Sequence, residues 1–106
     1  MENDSTQYFF NKMANAGVLF QYAFDYSDSH RKDIMNYGDG MTFNEKFVFT
    51  DAMFKELMKR AEEKNIKGNK ADKVKARELA EPLFKAYVAR NVFGDEAFYP
   101  IYEPMD

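Results

Sequence analysis

The run Ala86-Tyr87-Val88-Ala89-Arg90-Asn91-Val92-Phe93-Gly94-Asp95-Glu96-Ala97-Phe98-Tyr99-Pro100 decides the fold class of this chain. Its first part is a helix body. Gly94 stops that helix as a left-handed C-terminal residue does, and Asp95 with Glu96 opens a second, short helix with acids at its positive end. Upstream, Ala76, Leu79, Ala80, Leu83, Phe84, Tyr87 and Val88 recur at spacings of three and four, which turns one face of a long helix toward a core. Asn69, after Gly68, is the cap that starts it. Pro82 breaks the pattern: an interior proline forfeits a backbone hydrogen bond and clashes with the preceding turn, costing about 3 kcal/mol, so the helix is expected to kink or restart there. Beyond Gly94 the short helix would carry Phe98, Ile101 and Tyr102, with Pro100 keeping it irregular.

Further upstream the same periodicity recurs. Ser5 or Asp4 caps a helix in which Phe9, Met13, Ala16, Phe20, Ala23 and Phe24 share one face, with Leu19, Tyr22 and Tyr26 as a second stripe. This makes the part from Ala16 to Tyr26 the expected most buried helix, and Gly17 either admits a neighbouring helix or marks a slight break. The pattern turns polar from Ser27, and Gly38-Asp39-Gly40 signals a boundary. Phe43, Phe47 and Phe49 then read as an extended connector that pins aromatics into the core. Thr50 caps a further helix with Asp51 in its first turn and Phe54, Leu57, Met58 and Ala61 facing inward, fading near Lys64 and Asn65. The expected architecture is a small all-α bundle of four or five helices, one domain over residues 1–106, with an aromatic-rich core around Phe20, Phe24, Leu57, Leu83, Phe84 and Tyr87.

Composition sets bounds on function. A chain of 106 residues that is 45% apolar, with eleven Phe and seven Tyr, has enough apolar surface for one core. A net charge of -3 argues against a nucleic-acid partner, whose footprint is a surplus of Lys and Arg. The cations between Lys55 and Arg77 are interleaved with Glu56, Glu62, Glu63, Asp72 and Glu78, the pattern of a solvated helix face. Without cysteine there is no disulfide, thiolate metal site or cysteine nucleophile. No apolar run approaches the roughly 20 residues that span a bilayer, so no membrane insertion is expected, and Met1-Glu2-Asn3-Asp4 does not open a signal peptide.

No constellation of residues points to bond-making chemistry, and no cofactor or metal is implied. His30 stands near Ser27, Asp28 and Ser29, but a triad is set by space rather than by spacing, and a polar helix end accounts for it. The segment Asp39-Gly40-Met41-Thr42-Phe43-Asn44-Glu45 lacks the acid ladder of a calcium loop. Asp95, Glu96 and Glu103 fit helix-start capping better than acid–base work. Arg90 is the exception: among Ala86, Tyr87, Val88 and Phe93 it is expected to be partly buried and paired with a carboxylate or with carbonyls.

Ser5-Thr6, Tyr8, Gly17-Val18-Leu19-Phe20, Phe24-Asp25-Tyr26, Asp28, His30-Arg31, Phe47, Phe49-Thr50-Asp51, Ala89-Arg90-Asn91-Val92-Phe93-Gly94 and Phe98-Tyr99 follow one another in an order that covers nearly the whole chain. That order and spacing resemble the C-terminal segment of bacterial carboxyl-terminal processing proteases, also called tail-specific proteases. The resemblance implies a helical tail of an exported serine protease in the periplasm or cell envelope, whose serine-lysine dyad, PDZ module and cap have no matching positions here. No catalytic residue is carried over. The structural residues the reading singles out are Arg90, Phe20, Phe24, Leu57, Leu83, Phe84, Tyr87 and Gly94. Pro82 departs from the uninterrupted helix of the family. The implied role is noncatalytic: bracing the protease core or holding subunits together, with the rest of the parent protease or a second copy as partner, in a chain that is a fragment of a longer protein. A free-standing helical adaptor is the alternative, and an aromatic-lined small-molecule binder is third.

Overall fold

The computed structural model describes residues 5–94, which form six helices and no strand. They are α1 (Ser5–Asn15), α2 (Val18–Ser29), α3 (Arg31–Met35), α4 (Gly40–Lys46), α5 (Asp51–Glu63) and α6 (Lys70–Phe93). The all-α expectation holds, but the described residues alone exceed the expected four or five helices. One added helix comes from Gly17, the other two from the stretch read as polar boundary and connector. The expected helix over Asp95 to Tyr102 lies outside the described residues.

At Gly17 the backbone adopts φ 79°, ψ 10°, and a Cβ there would meet nothing within 4 Å. The glycine therefore serves conformation rather than close approach, and it ends α1 and restarts the helix as α2. The restart changes the helical phase. α1 buries Phe9, Phe10 and Met13, whereas α2 buries Val18, Leu19, Tyr22, Ala23 and Ser27. Phe20 and Phe24, placed in the core by the unbroken pattern, are instead 53% and 50% exposed.

The helix at the centre is α6, not the Ala16 to Tyr26 segment. Alanines at 76, 80, 86 and 89 keep its surface low on several sides, so α1, α2 and α4 pack around it. Phe84 sits at the middle of an aromatic cluster, its ring centroid 5.2 Å from Tyr22, 5.5 Å from Tyr26 and 5.1 Å from Phe49. Helix α6 runs unbroken through Pro82, which is exposed, so the expected restart does not occur. The flanking residues Ala80, Leu83 and Phe84 are buried and hold the helix on both sides of the missing donor.

Side-chain caps set the starts of α4, α5 and α6. Thr50 Oγ1 accepts from the Met53 N–H at 3.2 Å. Asn69 and Asp72 form a reciprocal capping box, each side chain accepting the other's backbone N–H at 2.8 and 2.9 Å. Asn69→Ala should lower stability by about 1 kcal/mol, read as a shifted midpoint in urea unfolding at unchanged m-value. Asp39, which superficially suggested a calcium loop, caps α4 by accepting from the Thr42 N–H at 2.8 Å. That cap makes Phe43 a helical residue and buries it fully, while the expected extended connector begins at Phe47 and brings Phe49 into the core. Ile34 on α3 is also buried, within the stretch that reads as polar.

Candidate functional site

Several charged side chains of the described surface tie helices together. Arg60 on α5 donates from Nη1 to Asp25 Oδ2 of α2 at 2.8 Å and from Nε to Glu56 Oε2 at 2.9 Å. Its guanidinium lies over the Tyr22 ring, 4.8 Å from the centroid. Asp25 also accepts from Gln21 Nε2 at 3.0 Å. Arg77 on α6 repeats the arrangement, donating to Asp51 Oδ1 at 2.7 Å and to the Phe49 carbonyl at 3.1 Å, with its guanidinium 5.4 Å from the Phe54 ring centroid. Lys85 Nζ reaches the Asn44 carbonyl at 3.2 Å and fixes α4 to α6. The residue reading missed both arginines. The i,i+4 pair Glu56 and Arg60 was visible in the sequence; its junction with Asp25, 35 residues away, was not.

The Arg60 cluster sets two pH limits. Burial, with the Glu56 carboxylate adding to it, pushes the Tyr22 phenol up to about 12. An unfolded tyrosine titrates near 10, so the stability held by the neutral phenol is intact below about pH 10 and lost as pH rises toward 12. Tyr22→Phe should flatten that alkaline loss in unfolding measurements. The Arg60 hydrogen bond first, then that of Gln21, holds the Asp25 carboxyl below its ordinary value. Its contribution is therefore present above about pH 4 and fades as pH falls through the lowered folded value. The Asp25 side chain is partly exposed, so the acid effect should be small and weakened by salt.

The residues singled out from the sequence divide into three groups. Leu57, Leu83 and Phe84 are core. Tyr87 is half-buried beneath Phe20, the two rings meeting edge-on at 5.3 Å, and Gly94 closes α6 at φ 100° with its N–H on the Arg90 carbonyl at 3.0 Å. Arg90 is half-buried as expected, with its guanidinium 6.0 Å from the Tyr87 ring centroid. Among the described residues it has no carboxylate partner. His30 stacks on Tyr26 at 4.0 Å, and its Nδ1 lies 3.2 Å from the Tyr26 carbonyl and 3.0 Å from Ser29 Oγ, at the junction of α2 and α3. Ser27 is buried and donates to the Ala23 carbonyl at 2.7 Å.

Part of the remaining surface is apolar. Phe20 and Phe24 stand one turn apart on α2, half-exposed, beside the Tyr87 and Asn91 side of α6. Among the described residues no group of three or more His, Cys, Asp or Glu converges as a metal site, and no helix is long and apolar enough to cross a membrane.

No curated protein and no solved structure matches the chain. A family model does match, over residues 9–94, from the first buried phenylalanine of α1 to the glycine that ends α6. The chain thus belongs to the family of unknown function DUF8443.

Proposed function

We propose that this chain is a noncatalytic C-terminal helical domain of a carboxyl-terminal processing serine protease, bracing the protease core or mediating subunit assembly in the periplasm or cell envelope. The observation that carries the reading is the Phe20 and Phe24 face. Two phenylalanines half in water, one helical turn apart, suit a face that packs against another body. The ordered motifs that resemble the protease tail support it, since they supply packing and caps: Tyr26, Phe47 and Phe49 pack in the aromatic cluster, and Thr50 caps α5.

The test is in the parent protein. Deleting the equivalent of Tyr8 to Tyr102 should reduce its solubility, assembly or activity, and Phe20→Ser with Phe24→Ser should do so in part while leaving the isolated chain folded. An unaffected deletion would overturn the bracing role. Cleavage of an unstructured protein by the purified 106-residue chain, abolished by a serine-directed inhibitor, would overturn the noncatalytic reading. An adaptor would use the same face, and a reading frame that does not continue upstream of Met1 into a serine-lysine protease would favour it.

A further inference from the structure

The end of α2, the short α3 and the cap of α4 meet around a hollow of about 230 Å³. Tyr26, Ile34, Tyr37 and Phe47 make its apolar walls, and Asp33 and Asn36 stand among them. Tyr26 lies two residues past Phe24, about 200° further round α2, so the hollow opens on another side of that helix. Asp33 and Tyr37 are four residues apart, Ile34 and Tyr37 three, which sets them on one side of the turn. The Tyr37 N–H donates to the Ile34 carbonyl at 3.0 Å and carries that turn past the end of α3. Phe47 leaves α4 as its extended cap, its ring stacked on Phe43 with centroids 4.6 Å apart. The walls are crossed: the Phe47 ring stands at 66° to Tyr26, centroids 5.9 Å apart, and at 76° to Tyr37, centroids 6.5 Å apart. Both phenols, the Asp33 carboxylate and the Asn36 amide make no hydrogen bond to a described residue, and Asp33 forms no ion pair with one. Burial first, then the nearby Tyr37 phenol and Asp33 carboxylate, push the Tyr26 phenol above its ordinary value, so it stays a neutral hydrogen-bonding group.

We propose that this hollow binds the trimethylammonium head of a small quaternary ammonium compound of the choline type, one that carries no anionic group of its own. Aromatic ring faces are negative and attract a cation. Among the described residues of the lining the one charged group is the Asp33 carboxylate, which adds to that attraction and repels an anion. Arg31, Lys32 and Lys46, its neighbours along the chain, are exposed and outside the lining. A flat ring is held best between parallel walls, whereas crossed walls suit a compact, rounded head whose methyl groups touch more than one ring. The volume agrees, being below the roughly 300 Å³ at which pockets begin to hold drug-sized ligands. A primary ammonium keeps its strong hydration and needs partners for three N–H groups; a quaternary one has no N–H to satisfy. The Asn36 amide and the two phenols supply partners for a hydroxyl on the same molecule. Binding here needs neither the protease parentage nor the Phe20 and Phe24 face.

The experiment is a nuclear magnetic resonance titration of the full 106-residue chain with choline chloride, sodium chloride holding the ionic strength constant. The expected result is a saturable shift of the Asp33, Tyr37 and Phe47 amide resonances, with binding weakened about tenfold or more by Asp33→Asn. Asp33 is exposed, and circular dichroism checks that the variant is folded. The neutral alcohol 3,3-dimethylbutan-1-ol has the shape of choline with carbon in place of the charged nitrogen, and it should bind about tenfold or more weakly. Tyr37→Leu keeps an apolar wall but loses a ring face, so it should weaken choline more than the alcohol. Absence of a saturable choline shift overturns the proposal. Equal binding of the neutral alcohol does so too, as does an Asp33→Asn variant that binds choline like the unaltered chain. Phosphatidylcholine vesicles that carry the chain down on centrifugation, with free choline unable to release it, would overturn the small-molecule reading in favour of a lipid surface.

Discussion

Phe84→Ala is expected to lower the stability of the domain by about 3 to 5 kcal/mol, close to the whole stability of many domains of this size. Phe84 is fully buried, and its ring touches those of Tyr22, Tyr26, Phe47 and Phe49, contributed by α2 and by the connector before α5. Truncation leaves a cavity bordered by rigid aromatics on several sides, none of which can move in without losing a partner of its own. Phe20→Ala is the paired control. Phe20 is half-exposed, and its main described aromatic contact is the edge of Tyr87, so its loss should cost about 0.5 to 1.5 kcal/mol. Urea unfolding of the two variants reads the difference directly. Equal losses at the two positions would mean that α2 is rotated from the orientation described.

Gly68→Ala is expected to destabilise by about 1 to 3 kcal/mol, although alanine usually stabilises a loop by restricting the unfolded chain. A Cβ at Gly68 would come within 2.8 Å of Phe9 Cδ1 and 2.9 Å of both Phe9 Cγ and Asp72 Cβ. Neither neighbour is a loose end. Phe9 is 4% exposed within the core, and Asp72 is held by the capping box with Asn69. The junction between α5 and α6 therefore sits directly on α1, and the added methyl must push the ring or the cap. Phe9→Leu removes the obstructing ring edge, so the double variant should lose less than the sum of the two single changes. Strict additivity in that thermal or urea cycle would place Gly68 away from Phe9.

Much of the fold could be read from local chemistry. The caps at Thr50 and Asn69, the buried stripe of Leu57 and Ala61, the long helix through Leu83 and Phe84, and the stop at Gly94 each depend on neighbours within about one helical turn. Gly17 was legible as a choice between two roles, because a glycine permits positive φ without requiring it. The α4 helix was missed because Phe43, Phe47 and Phe49 carry alternation over a span too short to separate from a helix followed by an extended turn.

The ties between helices were the least legible part. Arg60 and Arg77 read as members of a mixed charged face, and only the fold brings Asp25 and the Phe49 carbonyl to them from 35 and 28 residues away.

By itself the sequence determined that this chain is helical, where α5 and α6 begin, where α6 ends, and that Leu57, Leu83 and Phe84 are core. These follow from periodicity and capping, which act over a few residues. Tertiary structure alone decided that α6 is the central helix, that Phe20 and Phe24 face outward, and that Arg60 and Arg77 tie helices together. The physical reason is the left-handed residue at Gly17: it resets the helical phase, and which stripe of α2 is then buried depends on the low alanine-lined surface that α6 offers it.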